Sequence, residues 1–317
     1  MKWSVIVKKS SIALPKKLHL IWLLVLVLLQ ATHGQTTITA DSNQVHKGRL
    51  IGVSSLAATA YIGGMTGLYY LWYQGYERSS FHTINDSKAW LQVDKFGHAF
   101  STYQMSRVAY VAFDWAGLKS KQAMWLSSAY GFVFFTTVEI FDGHSANWGW
   151  SWSDIAANAA GTGFFLGQQL LWKEQRMQLK FSYAPSEYAQ YNPHVLGSNG
   201  IERILKDYNA QTYWLSINPQ SFTSHRIFPK FLNIAIGYGA KGMINTYNNP
   251  ETINGEAIPH FDRTRQYYLS LDVDLTKIKT KSEFLRLLFS FANMIKVPLP
   301  ALEYNSENGF VFHPIYF

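Results

Sequence analysis

The sequence predicts a mainly α-helical, membrane-associated protein in which a four-helix bundle precedes a small antiparallel β-rich C-terminal module. Four long apolar-rich segments lie between residues 50 and 172, and apolar residues at every second position recur after residue 210. Charged residues make up 15% of the chain and aromatic residues 16%. A typical soluble domain has roughly 25% charged residues. A low charge combined with many Trp and Tyr residues is typical of the membrane interface.

The N-terminus has the order of regions found in a secretory signal. Residues 1–20 contain five lysines and no acidic residue, and residues 21–29 are all apolar. Small residues precede a cleavage point after Gly34. We therefore expect a signal peptide over residues 1–34 and a flexible segment over residues 35–49. Nine apolar residues are too few to span a bilayer, but a short uncleaved membrane anchor remains the alternative.

Charge and cysteine content exclude several classes of protein. The formal net charge is +8, and without the five lysines of the leader it is +3, with 23 basic and 20 acidic residues. No basic patch follows the leader, so we expect no nucleic-acid partner. The chain has no cysteine. This excludes a disulfide framework, thiolate zinc sites, a cysteine nucleophile and a lipid-anchoring cysteine.

The helical, membrane-associated domain is predicted over residues 50–172. Its helices are expected over residues 50–73, 95–117, 122–141 and 153–172. The first has no charge and is long enough to span a membrane. The second contains Gln104 and Arg107, so it is amphipathic and a poor span. Ser153 is the expected N-cap of the fourth, with Asp154 in its first turn.

The remainder of the chain has a different pattern. Residues 173–210 are polar, contain two prolines and are predicted to be a linker. The module over residues 211–317 follows. Its strands are expected over residues 213–217, 231–238, 267–275 and 310–317. One amphipathic helix is expected over residues 282–295, with Ser282 as its cap.

Polar residues interrupt the apolar segments at the start of the second helix, the end of the third and the start of the fourth. The three clusters are Asp94, Lys95 and His98; Glu139 and Asp142; and Asp154 and Asn158. In an up-down bundle these three helix ends lie on one face. We therefore expect the clusters to meet, with Asn158 hydrogen-bonded to Asp94 or Glu139.

Such a cluster has the residue types for acid–base chemistry or for cation binding. The candidate catalytic residues are Asp94, His98, Glu139 and Asp154. The candidate substrate-binding residues are Lys95, Asp142, Asn158 and Trp150. The candidate ligands of a divalent cation are His98, Glu139, Asp142 and Asp154. Taken singly, each residue could instead be a helix cap or a packed interior side chain, and the Trp148–Trp152 segment could be either an aromatic lip or an interfacial belt.

The order D-K-x-x-H, E-x-x-D and D-x-x-x-N-x-x-G resembles the YfiM-like family of uncharacterised bacterial envelope proteins. It is also distantly similar to VanZ-like membrane proteins. The matching residues are Asp94, Lys95, His98, Glu139, Asp142, Asp154, Asn158 and Gly161. The resemblance covers roughly residues 50–172 and implies a role in the cell envelope. The chain departs from the small lipoprotein members in having no cysteine after its leader and a long additional tail.

Two functional hypotheses remain open. In the first, a membrane-associated envelope protein binds an anionic headgroup or a divalent cation, and any activity is that of a hydrolase acting on an envelope lipid or a phosphate-bearing substrate. In the second, the protein is a non-enzymatic scaffold whose C-terminal module docks an envelope protein. Membrane lipid is the expected partner in the first. The leader predicts export. The membrane topology that follows from a cleaved leader conflicts with the topology that the distribution of Lys and Arg predicts, so the sequence does not choose between the inner and the outer membrane.

Overall fold

The computed structural model describes residues 45–225 and 228–317. The predicted signal peptide and most of the predicted flexible segment lie outside the described residues. The described residues all belong to one unit, Asn43–Phe317.

Four long helices occupy the first half of this unit. They are α1 (Lys47–Leu68), α2 (Val93–Trp115), α3 (Ser120–Gly143) and α4 (Trp152–Trp172). A π-helical turn, Tyr69–Tyr73, extends α1. Ser151 caps α4 by accepting the N–H of Asp154, so α4 begins earlier than the predicted cap at Ser153. Three shorter helices follow: α5 (Pro193–Leu196), α6 (Gly200–Lys206) and α7 (Glu283–Ala292).

The second half is built on a six-stranded antiparallel sheet. Its strands are β3 (Met177–Tyr183), β4 (Gln211–Ile217), β5 (Leu232–Lys241), β8 (Thr264–Val273), β9 (Leu299–Asn305) and β10 (Gly309–Tyr316). Their order across the sheet is β10-β9-β8-β5-β4-β3. Two small sheets complete the described strands. In one, β1 (Thr83–Ile84) pairs in parallel with β2 (Trp150–Ser151), and in the other β6 (Thr252–Ile253) pairs with β7 (Glu256–Ala257).

The predicted fold class, a four-helix membrane bundle with a small β module, is wrong: the fold is mixed α and β with a large sheet. Two buried polar residues of α2, Gln104 and Arg107, bond to the sheet and to the short helix α7. Gln104 donates a hydrogen bond to the Leu179 carbonyl at 2.5 Å, and Arg107 donates to the Ser290 carbonyl at 2.7 Å. Helix and sheet therefore share one interior.

The sheet has two strands more than predicted: β3, inside the segment expected to be a linker, and β9, between the predicted helix and the last predicted strand. Residues 173–210 contain β3, whose apolar residues alternate with polar ones, together with α5 and α6. Phe181 of β3 and Tyr213 of β4 pack against Phe100 of α2, with ring centroids 5.8 and 5.7 Å from it. The prolines and charges around β3 hid this alternation in the sequence.

Within the described residues, two helical runs, Lys47–Tyr73 and Ser120–Gly143, are long and apolar enough to cross a membrane. Buried helices of other proteins meet the same criterion. Helix α2 does not meet it, because polar residues such as Gln104 and Arg107 lower its mean hydropathy. The structure therefore does not support a bundle of four membrane-spanning helices.

Helices α2, α3 and α4 pack around Tyr103, Met124 and Phe165, which are buried. Gly161 of α4 lies directly against α2: a Cβ at this position would be 2.0 Å from the Ala99 carbonyl oxygen. This close approach brings the N-terminal halves of α2 and α4 together, and those halves carry the first and third predicted polar clusters.

Candidate functional site

A left-handed turn directly precedes the first polar cluster and positions it. Trp90, Leu91 and Gln92 have φ values of 47°, 50° and 71° immediately before α2. Each such residue costs roughly 1–2 kcal/mol. Tertiary hydrogen bonds hold the turn, because the Thr246 carbonyl accepts the Trp90 N–H at 3.0 Å and Tyr238 donates its hydroxyl proton to the Leu91 carbonyl at 2.5 Å. The sheet thus fixes where α2 begins.

Lys95, in the first turn of α2, is surrounded by three carboxylates. Its Nζ atom lies 2.6 Å from Asp86, 2.9 Å from Asp94 and 2.7 Å from Asp154. Burial works to lower the pKa of Lys95, but the carboxylates outweigh burial and hold this pKa above its ordinary value. An ammonium group has three N–H donors, which matches the three carboxylates around it.

Asp86 was not among the predicted site residues. Besides Lys95, it accepts hydrogen bonds from the hydroxyls of Ser151 at 2.5 Å and Ser153 at 2.6 Å. Burial favours the neutral acid, but these hydrogen bonds and Lys95 outweigh it and lower the pKa of Asp86 to about 2. The residue lies in the loop before α2, where no helical spacing links it to Asp94. Its one sequence signal is that it is an acidic residue eight positions before Asp94.

His98 lies one turn after Asp94 and contacts the second and third clusters. Its Nδ1 atom is 3.1 Å from Asn158 Oδ1 and 3.7 Å from Glu139 Oε1, and its Nε2 atom is 3.9 Å from Asp154 Oδ1. Asn158 therefore hydrogen-bonds His98 rather than Asp94 or Glu139 as expected. With a proton on Nδ1 donated to Asn158, the lone pair on Nε2 is left for another group.

Glu139 is almost fully buried and only partly satisfied. Its Oε2 atom accepts the Ser151 N–H at 3.3 Å, while Oε1 has no hydrogen-bond partner among the described residues. The same holds for the amide Nδ2 of the fully buried Asn158. Unpaired buried polar atoms are rare and call for an explanation such as a bound water or ion.

Two sets of side chains have the spacing of a cation site. In each, the possible ligand atoms lie within 4.8 Å of one another: Asp86, Asp94 and Asp154 in one, and His98, Glu139 and Asp154 in the other. The Lys95 ammonium already pairs with all three members of the first set. In the second set only Asp154 pairs with this ammonium, whereas His98 and Glu139 do not, so the second set is the candidate cation site.

Charge is unbalanced around these residues. Burial raises the pKa of Asp94 to about 7 against the opposing effect of Lys95, and burial also raises the pKa of Asp154. One ammonium faces more carboxyl groups than it can neutralise, and the raised pKa values mean that protons can balance part of this charge. A bound cation would take the place of those protons.

Asp142 and Trp150 have other contacts. Asp142 accepts a hydrogen bond from the Tyr73 hydroxyl at 2.8 Å, which joins α3 to the end of α1. Trp150 packs between Phe81 and Trp152, with ring centroids 5.9 and 5.4 Å away. Neither belongs to the set that could share a cation with His98, so their predicted binding roles stay predictions.

An aromatic cavity of about 220 Å³ opens nearby. Its aromatic lining consists of Trp72, Tyr76, Trp90, Trp148 and Tyr208. Trp148 also contacts Tyr73, the hydrogen-bond donor to Asp142, with ring centroids 5.8 Å apart. Lys206 lines the cavity and lies 5.3 Å from the centre of the Trp72 ring. Of the tryptophans between residues 148 and 152, Trp148 is the one that lines this cavity.

Comparison with known proteins adds one finding. Residues 84–168 match a family described as "Predicted periplasmic lipoprotein (DUF2279)". No match was found among curated proteins or among solved structures. The matched segment contains all three polar clusters. The family description mentions neither the YfiM-like nor the VanZ-like family, so the resemblance to those families stays a prediction. The match supports an exported protein of the bacterial cell envelope and leaves the membrane open.

Proposed function

We propose that this envelope protein binds one divalent cation through His98, Glu139 and Asp154. The observation that carries the proposal is the spacing of their ligand atoms, all within 4.8 Å of one another, around a buried Glu139 oxygen that has no hydrogen-bond partner among the described residues. A cation between these atoms would satisfy that oxygen and offset the excess of carboxylates.

The ligand set favours a transition metal over calcium or magnesium. Imidazole is a ligand for Zn²⁺ and other first-row metals, whereas Mg²⁺ and Ca²⁺ prefer oxygen ligands alone. Asn158 supports this role, because a metal-binding histidine commonly donates its other ring N–H to a carbonyl oxygen. In this arrangement Nε2 of His98 faces the cation.

The contacts of Lys95 argue against a direct role for this residue in binding an anionic headgroup. Three carboxylates surround its ammonium, so it has no donor to spare for a phosphate. We therefore propose that any anionic ligand, such as a lipid headgroup, is held by the cation rather than by Lys95.

The contacts of Lys95 also favour a second candidate function, that of a non-enzymatic scaffold. Its partners come from the loop before α2, from α2 itself and from α4. In a scaffold, the polar cluster would hold the loop, α2 and α4 together, and His98 and Glu139 would have a structural role without a bound cation.

Calorimetric titration of the purified full-length protein in detergent with Zn²⁺ and with Mn²⁺ separates the two candidates. His98→Ala and Glu139→Gln should each weaken binding by at least about tenfold, since each removes a ligand. His260→Ala is the matched control, because His260 is an exposed histidine outside the cluster. Equal affinities in wild type, His98→Ala and Glu139→Gln would reject the cation site and leave the scaffold.

A further inference from the structure

The outer surface of the sheet has the reverse of the usual polarity. Ile236, Leu269 and Leu302 are 40–53% exposed. Their neighbours on the other side of the sheet are buried and often polar, as in Ser270 and Glu303, which are at most 5% exposed. An antiparallel sheet in water normally turns its apolar face to the core and its polar face to solvent.

The buried polar side chains satisfy one another, so the reversed pattern is built into the fold. Asp272 pairs with Lys180 at 2.7 Å, and both side chains are fully buried. Asp272 also accepts a hydrogen bond from Ser216 at 2.6 Å, and Glu303 accepts one from Gln266 at 2.7 Å. Satisfied polar groups inside and apolar groups outside are the arrangement found in sheets that face lipid.

Strand register places the exposed residues in rows across the sheet. One row is aliphatic with a Phe at its end and runs through Ile236, Leu269, Leu302 and Phe312. The next row is aromatic: Tyr267, Tyr304 and Phe310 are exposed, and Tyr238 at its start is half-buried against Phe96 of α2. We refer to the two rows together as the apolar sheet face. Tyrosines beside an aliphatic band are typical of residues at the level of lipid headgroups, because the ring is apolar and the hydroxyl is polar.

The segment after β8 adds a charge argument. Helix α7 exposes five apolar side chains: Phe284, Leu285, Leu287, Leu288 and Phe291. Three exposed basic residues accompany them: Lys279, Lys281 and Arg286. Residues 279–291 contain one acidic residue, Glu283. A helix that exposes Phe and Leu side chains and follows a basic segment is complementary to a membrane surface with anionic headgroups.

The two features are ordered along β8. Tyr267 lies near the start of this strand, Leu269 and Leu271 lie in its second half, and the basic segment and α7 follow its end. Along the chain, the aliphatic residues of β8 therefore lie between the tyrosine row and the basic segment that precedes α7. A hydrocarbon layer bounded by headgroups fits this order, whereas a second copy of the chain or a polar protein gives no reason for it.

We propose that the apolar sheet face contacts lipid acyl chains and that α7 lies at an anionic headgroup layer. Lipid contact at this surface does not depend on the cation site. A chelator can therefore be present throughout its test.

The absence of cysteine makes single labels possible. Leu269→Cys and Phe312→Cys place a fluorophore on the apolar sheet face, and His260→Cys places one on a surface exposed to water. Each full-length protein is reconstituted in vesicles of phosphatidylcholine and phosphatidylglycerol. Brominated acyl chains should quench the labels at 269 and 312, and iodide should quench the label at 260.

Two results would overturn the proposal. Iodide quenching at 269 equal to that at 260 would place the sheet face in water. Protection of 269 from both quenchers would mean that protein, such as a second copy, covers it. Circular dichroism equal to that of the wild type shows that each labelled variant is folded, and both positions are exposed enough to accept the change.

The headgroup contact has its own test. Replacing Lys279, Lys281 and Arg286 by Gln should weaken binding to phosphatidylglycerol-containing vesicles by about fivefold for each residue. Binding to phosphatidylcholine vesicles should not change. An unchanged affinity for the anionic vesicles, or an equal loss on both, would contradict the role given to α7.

Discussion

Lys95 is the residue on which the polar cluster depends most. Its ammonium pairs with carboxylates from three parts of the chain: Asp86 in a loop, Asp94 on α2 and Asp154 on α4. Removing one partner of a buried ion pair leaves uncompensated charge, which is more costly than never having the pair. The effect of losing Lys95 should therefore exceed that of losing an ordinary surface lysine.

We expect Lys95→Met to lower the free energy of unfolding by about 3–5 kcal/mol, since three buried carboxylates lose their counter-charge. Lys88→Met is the matched control, because Lys88 is exposed a few residues earlier in the chain. Urea denaturation of the purified proteins in detergent measures both. A loss no larger than that of the control would show that the ion pairs contribute little.

Asn158 should act on the cation site through His98. We expect Asn158→Leu to keep or raise thermal stability, because an apolar side chain replaces an amide whose Nδ2 is buried without a hydrogen bond. It should also weaken cation binding by about 10–100-fold, since the imidazole loses the group that orients it. Calorimetric titration and a melting curve measure the two effects.

The control for Asn158→Leu is Thr162→Val, which removes another buried, unpartnered polar atom one turn further along α4. This variant should leave cation binding unchanged. Cation affinity equal to the wild type in Asn158→Leu would remove Asn158 from the site and limit it to His98 and the carboxylates.

At the scale of elements, the contact between α2 and α4 decides whether the clusters meet. Sequence spacing placed Asp94 with His98, and Asp154 with Asn158, on single helix faces, and in the structure His98 lies close to both Asn158 and Asp154. Asp86 and Ser151 escaped prediction because they lie in a loop and at a helix cap, where no periodicity signals them. Tertiary packing alone positions such residues.

Two glycines of α4 provide a matched pair. We expect Gly161→Ala to lower the free energy of unfolding by about 1–3 kcal/mol or more, because its Cβ would lie 2.0 Å from the Ala99 carbonyl oxygen and push α2 away. Gly163→Ala meets nothing within 4 Å and should raise stability by up to about 1 kcal/mol, as Ala is the better helix former.

Thermal and urea unfolding of the two variants measures this difference. Cation affinity should fall in Gly161→Ala alone, since α2 carries His98 and α4 carries Asp154. Equal stabilities for the two variants would contradict the close approach of the helices.

At the scale of the whole molecule, helices and sheet are expected to depend on each other. Gln104 and Arg107 of α2 make their hydrogen bonds with β3 and α7, and Tyr103 of α2 reaches the Met177 carbonyl. Without the sheet, these buried groups would lose their partners, at a cost of about 1–3 kcal/mol for each unsatisfied group.

We therefore expect a fragment of residues 45–172, produced alone in detergent, to lack a cooperative unfolding transition. The full-length protein should show one under the same conditions. Calorimetry or circular dichroism on heating compares them. A cooperative transition in the fragment would instead support the predicted division into an independent helical domain and a C-terminal module.

The sequence by itself determined the long helices, four of the six main strands and the residues that could form a polar cluster, because hydrophobic periodicity and helix spacing are local properties. Tertiary structure alone decided that the sheet has six strands, that α2 faces it, and that Lys95 is enclosed by Asp86 as well as by Asp94 and Asp154. It also decided which side of each strand faces outward. Alternation shows that a strand has two unlike faces, but which of them is buried depends on what packs against the sheet, and here the polar face is inside.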